Sequence, residues 1–322
     1  MRSRSPRCSR CSMASTKGLR LPPSGQRPDS WLRWSRRSQS AYESSSSEPR
    51  ALSTTTPKRY SMNRNSGTIV FDLDGVVYLG SSAIAGAAST ISELTARGWQ
   101  LLYATNNSTK TPESVAGVLR DRVGVNADPG SIVTSGMAAA SYLAENQLES
   151  AYVIGSPQLK NTVRAEGIEV VDSEGPDAVV VGFEKSVAND KIERAARSVG
   201  QGAVFVATNT DFTFPTPRGE VPGTGVIVAA VSEASGRECV TCGKPGRPMY
   251  ELINQRVRTD RVIMVGDRPE TDIAFAQASG WESVLTLTGV TASPADVPGQ
   301  FAPDRVVASI ADLHGIMALD PR

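Results

Sequence analysis

The chain has 322 residues, of which 39% are hydrophobic and 21% are charged, and its formal net charge is +1. These values are typical of a globular protein with a sizeable core. No window approaches the roughly 18 uninterrupted apolar residues of a membrane-spanning helix, so the sequence predicts a water-soluble protein that needs no membrane.

The first 65 residues differ in composition from the rest of the chain. They hold 14 Lys and Arg but three Asp and Glu, which leaves 20 basic and 30 acidic residues after residue 65. This Arg- and Ser-rich segment has no sustained hydrophobic period, and we therefore expect a disordered basic leader over 1–65. No aromatic stacking platform or nucleic-acid-binding motif accompanies the basic residues, so no nucleic-acid partner is expected.

The location of the protein depends on what this leader does. Met62 lies just before the first predicted strand and is a candidate for the true start of translation, which favours a cytoplasmic protein. The alternative is an organelle location with 1–61 as a transit peptide, because such peptides are also rich in Arg and Ser and poor in acids.

The four cysteines form two CxxC pairs, Cys8/Cys11 and Cys239/Cys242. Zinc ribbons usually separate their pairs by about 15–20 residues, whereas here Cys11 and Cys239 are 228 positions apart. The expectation is therefore two pairs of reduced thiols, as in a reducing cytosol, and no zinc site.

From Thr68 onward, short β-rich runs alternate with amphipathic helical segments. This alternation predicts an α/β fold with a Rossmann-like, doubly wound parallel sheet that is covered on both faces. The predicted strands are 68–71, 100–104, 151–154, 178–181, 203–207, 261–265 and 283–287. The clearest predicted helices are 87–97 before Gly98, 136–145 after a Ser135 cap, and 190–199 between an Asn189 cap and Gly200.

Two carboxylates follow the first predicted strand, in Asp72-Leu73-Asp74-Gly75. Side chains alternate along a strand, so Asp72 and Asp74 are expected on the same side, while Leu73 turns into the core. Two neighbouring anions repel each other, and the pair therefore indicates a bound hard metal or a proton held by one of them. Gly75 allows the backbone to turn sharply beside a ligand.

Polar residues that follow other strands complete the candidate site, because ligands of open parallel sheets bind beyond the carboxyl ends of the strands. Such a set of residues is suited to phosphoryl chemistry. A phosphate monoester carries about two negative charges, so an anionic nucleophile can approach it only with the help of magnesium on carboxylates, a fixed cation and hydrogen-bond donors. The additional residues are Thr105, Asn106, Asn107 and Ser108, Lys244 in Gly243-Lys244-Pro245, and Gly266, Asp267 and Asp272 in the segment 266–272.

The spacing of these clusters predicts the domain organisation. Asp74 and Thr105 are 31 positions apart, which is enough for one helix and one strand, whereas Thr105 and Lys244 are 139 apart. The second interval is too long for a simple connection. We therefore expect a catalytic core over 66–147 and 239–318, with an inserted α/β cap domain over 148–238 that excludes water and selects small substrates. Asn209, Asp211 and the Gly223-Thr224-Gly225 turn are its candidate substrate-facing residues.

The motifs DLDGV, TNN, GK and GDxxxxD, in this order, resemble those of haloacid dehalogenase (HAD) superfamily phosphatases. The similarity covers about 68–313 and is greatest to the NagD-like subgroup, which includes 4-nitrophenyl phosphatases, phosphoglycolate phosphatase and glycerol phosphate phosphatases. The sequence segments 105–110, 151–156 and 207–211 resemble those of that subgroup. The resemblance implies hydrolysis of small-molecule phosphomonoesters, sugar phosphates among them, through an aspartyl-phosphate.

The resemblance also implies a role for each matched residue. Asp72 would attack phosphorus, and Asp74 would protonate the leaving oxygen and later activate water. Mg²⁺ would be held by the Asp72 carboxylate, the main-chain carbonyl of Asp74 and Asp267. The expected supporting residues are Gly266 and Asp272, and the expected phosphoryl-binding residues are Thr105, Asn106, Asn107 and Lys244.

Two other functions remain open at this level. A phosphotransferase or phosphomutase also uses an acid at position 74, although the interval before Thr105 leaves no room for the cap that sugar-phosphate mutases insert there. A receiver-like phosphorylated signalling module also places acids, Thr and Lys around magnesium, but it is a compact domain without a large insertion. In similar proteins the cap often forms a homodimer, which we expect here as well.

Overall fold

The computed structural model describes residues 67–216 and 219–314. Three predictions therefore fall outside the described residues: the disordered leader over 1–65, the cysteine pair Cys8/Cys11, and the last residues of the predicted core, 315–318. Within the described part, no helix combines the length and the apolar character that a membrane span requires.

The described residues form short strands separated by helices, numbered here in chain order. The strands are β1 (Thr68–Phe71), β2 (Tyr78–Leu79), β3 (Ser82–Ala83), β4 (Gln100–Thr105), β5 (Ile132–Thr134), β6 (Ser150–Ile154), β7 (Glu169–Val170), β8 (Ala178–Val181), β9 (Val204–Ala207), β10 (Thr213–Thr216), β11 (Gly219–Pro222), β12 (Val240–Thr241), β13 (Val262–Gly266), β14 (Glu282–Thr286) and β15 (Arg305–Val307). The helices are α1 (Ala87–Ala96), α2 (Pro112–Val118), α3 (Ser135–Glu145), α4 (Pro157–Ala165), α5 (Asn189–Gly200), α6 (Thr224–Ser235), α7 (Arg247–Asn254) and α8 (Ala274–Ser279).

The larger sheet has six parallel strands in the order β15-β14-β13-β1-β4-β5. Its central strand β1 is buried along its whole length, and so is β13 beside it. Strands that are buried on both faces are expected where helices cover both sides of a parallel sheet. The carboxyl ends of β1, β4 and β13 therefore lie side by side at one edge of the sheet.

The chain between β5 and β13 forms a second, smaller parallel sheet. Its strand order is β12-β9-β8-β6-β7. Two antiparallel hairpins, β2-β3 and β10-β11, accompany the sheets. The predicted fold class, an α/β core with an inserted α/β cap, is confirmed. The boundaries at 148 and 238 stay a prediction, and β12 belongs to the second sheet although it lies beyond residue 238.

Two of the three predicted helix starts were displaced by one residue, whereas the helix predicted from residue 87 does begin at Ala87. Thr134, and not Ser135, caps α3, because its hydroxyl accepts a hydrogen bond from the Met137 N–H at 3.3 Å. The strand β5 runs directly into this helix, so its last extended residue serves as the cap. Asn189 and Gly200 are the first and last residues of α5, and neither is a flanking cap.

One apolar cluster includes side chains from both sheets. It contains Val70 and Leu102 of the larger sheet, Val153 and Val180 of the smaller sheet, and the fully buried Leu143 of α3. The other members from α3 are Ala138, Ala139 and Ala140. Small side chains let α3 pack closely, so the two sheets share one hydrophobic core.

Truncation of Leu143 tests this shared core. Leu143→Ala should lower the free energy of unfolding by about 2–5 kcal/mol, because it leaves a cavity where a fully buried side chain was packed. The exposed Glu145→Ala on the same helix is the control and should change it by less than about 0.5 kcal/mol. Urea unfolding of both variants measures the difference, and equal effects would contradict packing of α3 into the core.

Candidate active site

A cleft of about 290 Å³ lies at the carboxyl ends of β1, β4 and β13. Nine of the polar residues that the sequence predicts for the site line it, whereas Gly266 does not. A Cβ atom at Gly266 would lie 2.1 Å from the Cβ of Asp272, so only glycine fits beside that side chain. The lining residues from the prediction are Asp72, Asp74, Thr105, Asn106, Asn107, Ser108, Lys244, Asp267 and Asp272.

A buried lysine bridges two carboxylates in this cleft. The Lys244 Nζ lies 2.6 Å from Asp72 Oδ1 and 2.7 Å from Asp272 Oδ1, and its side chain is 2% exposed. Burial acts to lower the pKa of Lys244, but the charges of Asp272 and Asp72 outweigh it and raise the pKa above its usual value. Lys244 therefore stays a cation.

The cluster nevertheless contains more negative than positive charge. Burial raises the pKa of Asp72 well above its ordinary value; Lys244 opposes this rise, whereas Asp272 and Asp267 add to it. Burial and the charge of Asp272 likewise raise the pKa of Asp267 to about 7. Three buried carboxylates beside one ammonium favour the uptake of a proton or of a further cation.

The donor set of this cluster fits a hard metal ion. Asp72, Asp267 and Asp272 each offer a carboxylate oxygen, and these oxygens lie within 4.8 Å of one another. Asp267 Oδ1 is buried and has no hydrogen-bond partner within the described residues, although Oδ2 accepts from the Val290 N–H at 2.6 Å. Carboxylate oxygens are the ligands that Mg²⁺ and Ca²⁺ prefer.

Asp272 is less available for metal binding than Asp72 and Asp267. Its Oδ1 accepts from Lys244, and its Oδ2 accepts from the backbone N–H groups of Asp267 at 3.2 Å and Arg268 at 3.1 Å. Both oxygens are thus engaged in holding Lys244 and the loop after β13. Asp72 and Asp267 remain the carboxylates best placed for a metal.

Two glycines allow the backbone to approach Asp267. A Cβ atom would lie 2.5 Å from Asp267 Oδ2 at Gly75 and 1.9 Å from it at Gly289. Gly75 also has a φ of +90°, which side chains rarely tolerate. The turn after Asp74 and the loop after β14 can therefore close around this carboxylate only where no side chain is present.

Asp74 lies in the same cleft in a different environment. Burial raises the pKa of Asp74, while the nearby cations Lys110, Arg122 and Arg268 act in the opposite direction. The raised pKa favours the protonated carboxyl more than in water. This direction suits a proton donor, and Asp74 differs from Asp72 in having no direct contact with the Lys244 ammonium within the described residues.

The loop after β4 has an internal hydrogen-bond network. Thr105 Oγ1 accepts from the Asn107 N–H at 3.1 Å, and Asn107 Oδ1 accepts from Thr109 N at 2.9 Å and Thr109 Oγ1 at 2.7 Å. The Asn107 side chain thus closes its own turn, which is a common use of Asn. The Asn106 side chain forms hydrogen bonds to the main chain of Lys244 and to the Asp211 carboxylate.

Two family models match most of the larger sheet. The model described as haloacid dehalogenase-like hydrolase matches residues 69–169, and the HAD-hydrolase-like model matches residues 241–313. An acid sugar phosphatase of Staphylococcus haemolyticus is 36% identical over 225 residues, which cover 69% of this chain and 85% of that protein. The chain belongs to the haloacid dehalogenase-like hydrolase family.

Solved structures of this family have the same fold and belong to the NagD-like subgroup. A glycerol phosphate phosphatase of Mycobacterium tuberculosis in complex with magnesium is 32% identical, with a TM-score of 0.67 over 77% of this chain and 76% of that one. A 4-nitrophenylphosphatase of Thermotoga maritima is 31% identical, with a TM-score of 0.71 over 78% and 97%. The predicted enzyme type, a HAD phosphatase, is thereby confirmed.

Residues from loops of the inserted segment and from the hairpin β10-β11 form the roof of this HAD-family cleft. Asn209, Asp211, Gly223 and Thr224 line it as expected, whereas Gly225 does not. Sequence reasoning missed Phe183 and Phe214, whose rings stack with centroids 5.3 Å apart, together with Leu79, Thr213, Arg268 and Val290. Arg268 lies inside the motif 266–272 and could have been suspected, but the aromatic residues follow no motif.

Replacement of Lys244 tests the charge balance of the cluster. Lys244→Met should lower the free energy of unfolding by about 3–5 kcal/mol in a chelator, because it leaves Asp72 and Asp272 buried without their cation. The exposed Lys185→Met is the matched control and should change it by less than about 0.5 kcal/mol. Denaturant unfolding measures both, and a Lys244 effect as small as the control would contradict the buried ion pairs.

Proposed function

We propose that this chain is a magnesium-dependent phosphatase that hydrolyses small-molecule phosphomonoesters through an aspartyl-phosphate on Asp72. The observation that carries the proposal is the position of Asp72 in a roofed cleft, 2.6 Å from the Lys244 ammonium and beside Asp267 Oδ1, which has no hydrogen-bond partner among the described residues. A dianionic ester needs such a cationic environment before an anionic nucleophile can approach it.

In the ground state, the phosphoryl group would bind between Lys244 and the loop after β4. Lys244 supplies a fixed positive charge, and the Thr105 hydroxyl, the main-chain N–H of Asn106 and the side-chain NH2 of Asn107 supply hydrogen bonds. Magnesium, held by Asp72, Asp267 and the main-chain carbonyl of Asp74, would neutralise carboxylate charge and polarise the phosphoryl oxygens. Asp272 supports this arrangement by holding Lys244 and the N–H groups of Asp267 and Arg268, and Gly266 leaves room for the Asp272 side chain.

The chemistry then takes place in two balanced steps on residues of the chain. A carboxylate oxygen of Asp72 forms a bond to phosphorus as the ester bond breaks, and the departing oxygen takes the proton of Asp74. Asp74, now a carboxylate, removes a proton from water, whose oxygen attacks the phosphorus of the aspartyl-phosphate. Phosphate leaves and Asp72 is regenerated, so Asp74 serves first as acid and then as base.

The cleft favours small metabolites over folded proteins. Its volume is about 290 Å³, and it is lined by the stacked Phe183, which follows β8, and Phe214, which lies in the hairpin β10-β11. The relatives named above act, by their names, on sugar phosphates, glycerol phosphate and 4-nitrophenyl phosphate. We propose small esters of these kinds and phosphoglycolate as substrates, with a cytoplasmic location and a homodimer through the cap as accompanying predictions.

Replacement of the nucleophile tests the proposal directly. The full chain should release 4-nitrophenolate from 4-nitrophenyl phosphate with Mg²⁺ and stop when a chelator removes the metal. Asp72→Asn should lower kcat by about 10³-fold or more, because the amide cannot form the phosphorylated intermediate. The exposed Asp260→Asn is the matched control and should keep the parent rate. An Asp72→Asn variant as active as the parent would refute the assignment.

Replacement of Asp74 separates the two steps. Phenolates with a low pKa leave without a proton, so Asp74→Asn should release about one equivalent of 4-nitrophenolate per active site in a rapid burst and then stall without its base. An alkyl phosphate, whose leaving oxygen needs the proton, should give no burst. Stopped-flow absorbance with 4-nitrophenyl phosphate and phosphate release from glycerol phosphate measure the two cases. Full turnover of both esters would exclude Asp74 as acid and base.

A further inference from the structure

The carboxamide of Asn106 forms hydrogen bonds to both the N–H and the carbonyl group of Lys244. Asn106 Oδ1 accepts from the Lys244 N–H at 2.8 Å, and Asn106 Nδ2 donates to the Lys244 carbonyl oxygen at 3.0 Å. The same Nδ2 donates to Asp211 Oδ2 at 3.2 Å. Both hydrogens of the amide group are therefore used by the protein, and the side chain is committed to Lys244 and Asp211.

On its amino-terminal side, the loop that carries Lys244 is attached to the smaller sheet. Its preceding strand β12 pairs with β9, and the Cys242 N–H donates to the Ala207 carbonyl at 2.8 Å. Gly243 passes so close that a Cβ atom there would lie 2.4 Å from the Thr208 carbonyl oxygen and 2.5 Å from Asn106 Oδ1. Asn106, directly after β4, thus joins this loop to the larger sheet, where Asp72 lies.

Asn106 is itself held in place from two directions. Its carbonyl oxygen accepts from Ser135 Oγ at 2.7 Å and from Asn209 Nδ2 at 2.8 Å. Ser135 belongs to α3 and Asn209 follows β9, so the backbone of Asn106 is fixed against both parts of the molecule. Because the backbone of Asn106 is held in this way, its side chain can fix the position of Lys244.

We propose that Asn106 is a positioning residue for Lys244: its carboxamide fixes the Lys244 backbone so that the ammonium lies between Asp72 and Asp272. This inference rests on the proposed function. It differs from a direct role in substrate binding, because the side chain acts through Lys244. The contacts at 2.6 Å and 2.7 Å leave little tolerance, and a backbone shift of about 1 Å can lower a rate by about 10²-fold.

A double-mutant cycle tests whether Asn106 acts through Lys244. Asn106→Ala should lower kcat for 4-nitrophenyl phosphate by about 10²-fold, yet have no further effect in a Lys244→Met background, since residues that act as one unit are not additive. Asn146→Ala, which removes an exposed amide at the end of α3, is the control and should leave kcat unchanged. Additive effects, or an Asn106→Ala variant with parent activity, would overturn the proposal.

A reversed pair separates the link to Lys244 from the link to Asp211. Asn106→Asp keeps the side-chain shape and removes both N–H donors. Adding Asp211→Asn returns one donor to the contact between positions 106 and 211 but none to the Lys244 carbonyl. If Asn106 positions Lys244, the double variant stays as slow in kcat as Asn106→Asp. Recovery of kcat to within about tenfold of the parent, the scale of one hydrogen bond, would mean that Asn106 only tethers the cap.

A spectroscopic measurement needs no turnover and so separates this inference from the proposed function. An ammonium bound to two buried carboxylates should give a slowly exchanging ¹⁵N–¹H signal, assigned by its loss in Lys244→Arg. The signal should disappear or shift strongly in Asn106→Ala and persist in Asn146→Ala. An unchanged signal in Asn106→Ala would overturn the positioning role, whereas an inactive parent with the expected spectra would refute only the phosphatase assignment.

Discussion

The excess of buried negative charge at the end of the central strand is the constraint on which the rest of the site depends. Asp72, Asp267 and Asp272 lie within a few ångströms of one another, and the Lys244 ammonium compensates only part of their charge. Such a cluster is costly in an apolar interior unless further positive charge enters it. A divalent ion bound to these carboxylates would relieve the same imbalance.

Parallel strand topology explains how residues far apart in sequence meet in this cluster. Asp72 follows β1, Asp267 follows β13, and these strands are neighbours in the sheet with their carboxyl ends together. Lys244 comes from the other sheet, at the end of β12. The core supplies most of the anions and the loop between the sheets supplies the cation, so the charge balance requires both sheets to be in place.

The sequence was informative wherever a strand is followed directly by polar residues. Asp72, Thr105 and Asp267 could be predicted because each ends or follows a buried run of the larger sheet, and Lys244 because Gly243 and Pro245 frame it. The roof was unpredictable: Phe183 and Phe214 belong to separate segments, and their stacking follows from tertiary packing. The place of Asn106 in the cleft was predicted, but its hydrogen bond to Asp211, 105 positions away, was not. The cap of α3 was predicted one residue too late because β5 enters that helix without a loop.

The short strand β12 has a consequence for how members of this family can be recombined. It hydrogen-bonds within the smaller sheet, yet Lys244, which lines the cleft, follows it by three residues. A chimera that exchanged only 148–238 would set a foreign β9 against the native β12 and strain the junction. A crossover placed after Gly246 would transfer the lysine together with the sheet that supports it, and the contacts of Lys244 with Asp72 and Asp272 could then be kept in the chimera.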